Sequence, residues 1–465
     1  MPGAWLSLNT ALSSLRASQL ALDTAAHNTA NANTEGYSRQ RVNLVEGAPY
    51  SYPAFNRSGI PGQLGTGVSV ATIERVRDAF LDLQLRSQFA LQGQWQTRSD
   101  ELAKVESAFP EPNGSGIGTA LNSFWNAWHD LASDPTSSAA RSALVGQAGT
   151  LTQQFASAAG QLETLIDGVD YQVTQQVAQI NTLAAQVAAL NTQIQRVTVN
   201  GDHPNDLADQ RDLLLDQLSR LVPLTTIPKA DGTVTVLVGG TDLVEHDKAR
   251  AMTTTPDPDG HAVPTWSSGG TVALGSSQLA SLLSIRDDTL TGYLDQLNLL
   301  AKGVADAVNA LQNPTPPGTG LDFFTYTAGS EAKTIAVTAG LVANPSLVVT
   351  GAAGSPGDGG IAGAIADLRG ARLFAGDTQT AADFYAGIVG TIGSDAQQAN
   401  AMALNEGLVI NQLTMRRDSV SGVSLDEEAT DMIRFQRAYQ AAARVITIVD
   451  ETLDTIINRT GLVGR

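Results

Sequence analysis

Apolar residues recur at intervals of seven along the C-terminal segment, and this pattern limits the fold more than any other feature. Leu425, Met432, Tyr439, Ile446 and Leu453 form one row, and Glu428, Phe435, Ala442, Val449 and Ile456 lie three residues after each. A strict seven held over this length belongs to a helix that wraps around another helix in a left-handed coiled coil. Such a helix would run roughly 50 Å at its ordinary rise per residue. Burying its apolar row stabilises an assembly by on the order of 15 kcal/mol gross, whereas in water the row invites aggregation. Only Glu428 and the Tyr439 hydroxyl interrupt it. The N-terminus carries a shorter version. Leu8, Leu15 and Leu22 are spaced by seven, with Ala11, Ser18 and Ala25 three residues after each. Both ends therefore predict helices that need helical partners.

Between the ends the chain predicts more helix. A long helix spans about 151–199, with Ile166, Val173, Ile180, Val187 and Ile194 in one row. Gly201 and Pro204 end it. A shorter helix follows over 205–222, and another apolar row contains Leu283, Leu290, Leu297, Val304 and Leu311. Further helices are expected at 119–132, 140–148 and 381–414. Two stretches depart from this pattern. Residues 223–275 alternate in strand fashion around Asp231-Gly232 and Asp259-Gly260, and 312–360 are rich in Pro, Gly and Thr. Short strands are expected in the latter at 335–338 and 347–350. The fold class expected is mostly α with some β: coiled-coil-like helices from both termini and a helical rod domain, interrupted by a small β-rich outer lobe. The domain reading is a terminal coiled-coil domain from 1–45 plus 420–465, a helical rod from 46–222, 276–311 and 361–419, and the lobe from 223–275 and 312–360.

Composition removes several function classes. The chain has no cysteine, so disulfides, thiolate metal sites and cysteine nucleophiles are out. Its net charge is −18 with no basic run, which argues against nucleic acid and anionic membranes as partners. Charged residues are only 16% of the chain, a polar but weakly charged surface suited to packing against copies of itself. No apolar run could insert in a membrane, and residues 1–22 lack the pattern of a Sec signal peptide. The histidines His27, His129, His203, His246 and His261 are scattered, with no pair at ligand spacing. His203, Asp206, Asp209 and Asp212 could attract a cation, but acids at the start of a helix are explained by its dipole. Gly114 to Gly118 lacks the lysine of a phosphate loop and reads as a linker. Trp125 and Trp128 share a helix face with Leu121 and Leu131, the spacing of buried core. No catalytic residue, metal site or cofactor is expected, and the chain is not read as an enzyme.

The most specific segment leaves the N-terminal helix: His27-Asn28-Thr29-Ala30-Asn31-Ala32-Asn33-Thr34-Glu35-Gly36-Tyr37-Ser38-Arg39-Gln40. Physically it is a helix exit, with asparagines that cap locally and Gly36 free to take positive φ. The run resembles the signature shared by flagellar rod, hook and hook-associated proteins, and its Tyr37-Ser38-Arg39-Gln40 ending resembles the hook-associated members. Glu35 stands where the family usually has proline. Phe124-Trp125-Asn126-Ala127-Trp128, Asn205 to Asp212, Tyr293 to Leu297, and Glu427-Glu428 through Phe435 to Ala442 extend the resemblance over most of the chain.

The resemblance implies a structural subunit of the bacterial flagellum. The subunit would form the ring at the hook–filament junction on which filament assembly depends. The alternatives are another axial subunit (hook, rod or distal junction protein) or a coiled-coil surface adhesin. The resemblance also implies export through the flagellar type III apparatus, with a cytoplasmic chaperone on the C-terminal helix beforehand. The product would be extracellular, a ring of copies between hook protein and the second junction protein next to the filament. The expected assembly and chaperone seam is Leu8, Leu15, Leu22, Leu425, Met432, Phe435, Tyr439, Ala442, Ile446, Val449, Leu453 and Ile456. The expected signature residues are Asn28, Asn31, Asn33, Gly36, Tyr37, Ser38, Arg39 and Gln40.

Overall fold

The structure, a computed structural model, describes residues 2–49, 65–109, 116–313, 321–351, 355 and 357–459. In chain order it begins with α1 (Pro2–Ala30), β1 (Gln40–Glu46), β2 (Val68–Arg75), α2 (Ala79–Ala108), α3 (Ile117–Ser133), α4 (Ser138–Val199) and α5 (Asn205–Leu221). Six short strands follow: β3 (Thr225–Pro228), β4 (Val234–Val238), β5 (Thr241–Glu245), β6 (Lys248–Ala249), β7 (Met252–Pro256) and β8 (Ala262–Trp266). Next, α6 (Gln278–Ser284) runs through a π-helical turn at Ile285–Leu290 into α7 (Thr291–Gln312). The remainder is β9 (Phe324–Thr325), α8 (Glu331–Thr334), β10 (Ala336–Val337), α9 (Ala339–Ala343), α10 (Gly360–Asp367), α11 (Ala381–Ser421) and α12 (Leu425–Asp454). Helix accounts for 67% and strand for 11%, the mostly-α class with small sheets that the sequence predicts.

The expected helices at 140–148 and 151–199 are one helix, α4. Gly149 stands between those two stretches, but a helix tolerates an isolated glycine when packing holds it. Helix α2 is not predicted by the apolar spacing. Its burial pattern, with Leu81, Leu85, Phe89, Leu102 and Val105 inward, is broken in the sequence by polar residues such as Asp82, Arg86, Thr97 and Glu101 that are also buried. Of the two strands expected in 312–360, one survives as β10. Residues 347–350 form no strand, because Asn344 caps a 3-10 turn over Pro345–Leu347. Gly114 and Ser115 of the expected linker lie outside the described residues.

The chain divides into two compact units. The first comprises 1–89, 180–251 and 408–465. In it α1 and α12 pack antiparallel, the end of α1 meeting the start of α12. The face of α1 that is buried carries small residues: Ala11, Ala17, Ser18, Ala21, Thr24 and Ala25. Leu8, Leu15 and Leu22 are half-buried at the edge of that face. On α12 the heptad rows do face inward. Ala442 and Val449 are buried, while Met432, Phe435, Tyr439, Ile446 and Leu453 are half-buried. Leu425 and Ile456, at the ends of the rows, are exposed. Strands β1 and β2 pair antiparallel from Gln40 opposite Arg75 to Glu46 opposite Val68. A core of Leu81, Leu85, Phe89, Ile410 and Leu413 joins α2 to α11. Strands β3 to β6 form a four-stranded antiparallel sheet in sequential order. Asn191 of α4 anchors that sheet. Its amide donates to the carbonyls of Val234 and His246 and accepts from the Val234 N–H.

The second unit comprises 90–179 and 252–407. Its core includes Phe124, Trp125, Trp128, Phe323 and Phe324, with ring centroids 4.9–6.3 Å apart. Both tryptophans are buried, as their spacing predicts. The hairpin β7–β8 is held by an ion pair from buried Arg286, which meets half-buried Asp170 while donating to the Ala262 carbonyl at 2.9 Å. The strands of 223–275 thus belong to two separate sheets, one in each unit.

Gly303 of α7 gives a test of packing in this unit. A Cβ there would lie 2.4 Å from the ring of Phe374, which is buried and stacked on Phe384 at 5.0 Å. Gly303→Ala is expected to destabilise by about 1–3 kcal/mol, because a buried ring must shift to admit the methyl group. Gly292→Ala, on the same helix with open space around it, should stabilise by roughly 0.5–1 kcal/mol. Thermal unfolding of the two variants should move in opposite directions.

Candidate functional site

The segment between α1 and β1 is the centre of a polar joint in the first unit. Helix α1 ends because its last turns bond to themselves. The Asn31 amide donates to the His27 carbonyl at 3.1 Å, and Thr34 and Tyr37 close successive turns. Gly36 then takes φ +79°, and a Cβ there would approach Leu213 to 3.2 Å. Glycine is needed both for the backbone and for the close approach.

Asn28 is almost fully buried, and its amide uses all four of its bonding positions. It donates to the Gln40 carbonyl at 2.9 Å and to the Glu428 carboxylate at 3.1 Å. It accepts from the Gln40 N–H at 2.9 Å and the Tyr37 hydroxyl at 2.8 Å. One side chain therefore ties the end of α1 to the start of β1 and to the first turn of α12. Arg39 makes the parallel connection by charge. Its guanidinium meets Glu427 and Glu428 at 2.6 Å and Asp431 at 3.6 Å. Glu428, which interrupts the heptad rows, is 2% exposed and is the residue on which both connections converge. Burial, then Asp206, Asp209 and Glu428, hold the Tyr37 hydroxyl well above the usual tyrosine range, so it stays a donor. Its ring packs edge-on to His27 at 5.5 Å.

The other side of the joint is α5. The Ser38 N–H and hydroxyl both donate to Asp209, at 2.9 and 2.7 Å. The Gln40 side chain donates to Asp206 at 2.7 Å and accepts from Asn205 at 3.1 Å. Asp209, Asp212 and Asp216 lie along α5 facing four arginines. Arg75 meets Asp209 and Asp212 at 2.7 and 2.8 Å, and Arg77 lies 3.5 and 3.4 Å from the same two while gripping Asp82. Arg86 bridges Asp212 and Asp216, and Arg417 also takes Asp216. Burial alone would raise the Asp212 carboxyl, but Arg77, Arg75 and Arg86 outweigh it and lower it to about 2. The acids of α5 therefore serve as arginine partners more than as helix-dipole complements. Arg75, Arg77 and Arg86 were missed at the sequence level because they lie more than a hundred residues from α5. The available signal was the spacing of Asp209, Asp212 and Asp216 on one helix face.

Of the signature residues, the joint brings together Asn28, Gly36, Tyr37, Ser38, Arg39 and Gln40. Asn31 caps its own helix, and Asn33 is exposed. Among the described residues no group of His, Cys, Asp or Glu could hold a metal ion, and no helix is long and apolar enough to cross a membrane. Chemically the site is a clamp of matched charges and hydrogen bonds.

Three family models match. One described as the flagellar hook-associated protein FlgK helical domain covers 102–324. Models of the flagella basal body rod protein and of the flagellar basal body rod FlgEFG protein C-terminal region cover 8–37 and 417–459. The two end matches take in most of α1, all of α12 and, of the joint, Asn28, Gly36, Tyr37 and Glu428, which defines the class as flagellar axial proteins. Flagellar hook-associated protein 1 of Bacillus subtilis strain 168 is 32% identical over 100% of both chains. The proteins of that name from Salmonella typhimurium strain LT2 and Escherichia coli K12 are 28% and 26% identical, each over 97% of this chain and 99% of theirs. A solved structure of the flagellar hook junction protein FlgK from Burkholderia pseudomallei shares the fold, with a TM-score of 0.63 at 18% identity, covering 73% of this chain and 100% of that one. The chain belongs to the flagellar hook-associated protein 1 family, structural proteins of the hook–filament junction. The readings as another axial subunit or as an adhesin give way to this one.

The joint predicts a specific acid sensitivity. Asp212 titrates lower in the folded chain than its ordinary 3.8, so its contribution is complete above about pH 4 and is lost as pH falls toward 2. Asp212→Asn should cost about 3 kcal/mol near neutral pH, where it leaves arginines under-compensated. The gap between wild type and variant should narrow by about 2 kcal/mol between pH 4 and pH 2, read from unfolding curves.

Proposed function

We propose that this chain is one subunit of a ring of copies at the hook–filament junction, and that filament assembly depends on the ring. The observation that carries this reading is the joint of Asn28, Arg39 and Glu428, which fixes both terminal helices to one point and sends them out as an antiparallel pair. The outward side of α12 still carries Ile433, Val445 and Ile448, all exposed, and α1 carries exposed Trp5, Leu12 and Leu20. Apolar side chains left on a helical pair after it has formed are what neighbouring subunits would cover.

In this proposal 1–45 and 420–465 form the inner lining of the tube, the rod segments 46–222, 276–311 and 361–419 its wall, and 223–275 with 312–360 its outer surface. The partners are further copies, hook protein on one side and the second junction protein on the other. Before export through the flagellar type III apparatus, a cytoplasmic chaperone holds α12 by the seam from Leu425 to Ile456. The assembled protein is extracellular and has no enzymatic role.

Two substitutions separate the inward seam from the outward face. Ile446→Asp puts a carboxylate against α1, where an unpaired charge costs several kcal/mol, so the helical pair itself should open and chaperone capture should weaken. Ile448, 60% exposed, lies on the outward face, and Ile448→Asp should leave the free subunit's melting temperature unchanged while abolishing motility. Arg437→Ala, exposed as well, should be silent in both assays. A motile Ile448→Asp strain would remove α12's outer face from the assembly surface.

A further inference from the structure

A cleft of about 380 Å³ opens in the first unit beside the joint, where the start of α5 faces the β3–β4 turn. Its lining includes Arg75, Arg77, Arg211, Lys229, His203 and Glu74. Arg75 and Arg77 are matched by Asp82, Asp209 and Asp212. Arg211 is different. It is 6% exposed, yet no carboxylate of a described residue lies in ion-pair range of it. One of its terminal nitrogens donates to the Asn191 amide oxygen at 3.2 Å and the Gly232 carbonyl at 2.7 Å, and its Nε is buried without an acceptor. Burial lowers this guanidinium to about 10, with Asp212 opposing. Buried charges in proteins are paired, so a buried cation left over at an open cleft marks a place for an anion.

The surroundings agree. Lys229 is exposed and makes no ion pair among the described residues. Pro204 stands at the N-cap of α5 and no side chain caps the helix, while the Asp206 carboxylate of its first turn is taken by Gln40 on the side of the joint. The one carboxylate of the lining, Glu74, is exposed and accepts from Thr72.

We propose that this cleft is an oxyanion site, binding a carboxylate or a phosphate group between Arg211, Lys229 and the start of α5. With 46 acidic against 28 basic residues, a second copy of the chain offers many carboxylates that such a site would take. A free inorganic anion has the same chemistry. The proposal is independent of the junction reading.

The test is thermal unfolding of the full chain in sodium phosphate against sodium chloride at matched ionic strength. The expected result is a saturable, phosphate-specific rise in Tm. Lys229→Glu should weaken the phosphate midpoint at least tenfold, while Glu74→Gln should tighten it several-fold. Arg211→Met should lose the response, and if it does not fold, the two surface variants still decide. Light scattering separates the sources. Phosphate that disperses self-associated protein identifies a second copy's carboxylate as the occupant, and phosphate that binds without changing mass identifies a free anion. Absence of a phosphate-specific rise, or equal midpoints in wild type and Lys229→Glu, overturns the proposal.

Discussion

The convergence of Asn28 and Arg39 on Glu428 is the constraint on which the first unit depends. Residues 28 and 428 are separated by nearly the whole chain, and a buried amide and a buried carboxylate bring them together. Neither group could stay buried alone, since an unsatisfied polar atom in the interior costs about 1–3 kcal/mol and an unpaired charge more. Each therefore requires the other, and the loop from Gly36 to Gln40 must take the path that completes the set. The direction of α12 against α1 follows from this local chemistry as much as from apolar packing.

The arginine–carboxylate network extends the same logic to α5. Four arginines from β2, α2 and α11, and from the short link between β2 and α2, meet three aspartates on one helix face. Such a network adds little net stability over an apolar core, but it is intolerant of register errors, because any slip strands a charge. That property suits a joint whose task is to hold two long helices at a set angle. Arg211 stands outside the network on the neighbouring face of α5, which is why its lack of a carboxylate is notable.

The helical pair shows how one heptad pattern can be satisfied in two ways. On α12 the apolar rows face α1 as their spacing requires. On α1 the leucine row lies at the edge, and the alanine, serine and threonine face is buried instead. Small side chains let two helix backbones approach closely, and the larger residues of α12 fill the contact from the other side. Periodicity in α1 gave the helix but not the face, because rows offset by three residues are both consistent with a period of seven.

The class of fold, the helical ends, the buried tryptophans and the exit signature with its essential glycine are legible in the amino-acid order alone. These rest on local spacing and backbone chemistry, which act over a few residues. The amino-acid order does not reveal α2, whose buried Asp82, Arg86, Thr97 and Glu101 disguise its inward face, nor the continuity of α4 past Gly149. It also read Glu428 as a flaw and the aspartates of α5 as dipole partners. The folded contacts reverse both readings, because a charge is a defect or an anchor according to what faces it, and the facing residues here are separated in sequence by more than a hundred positions.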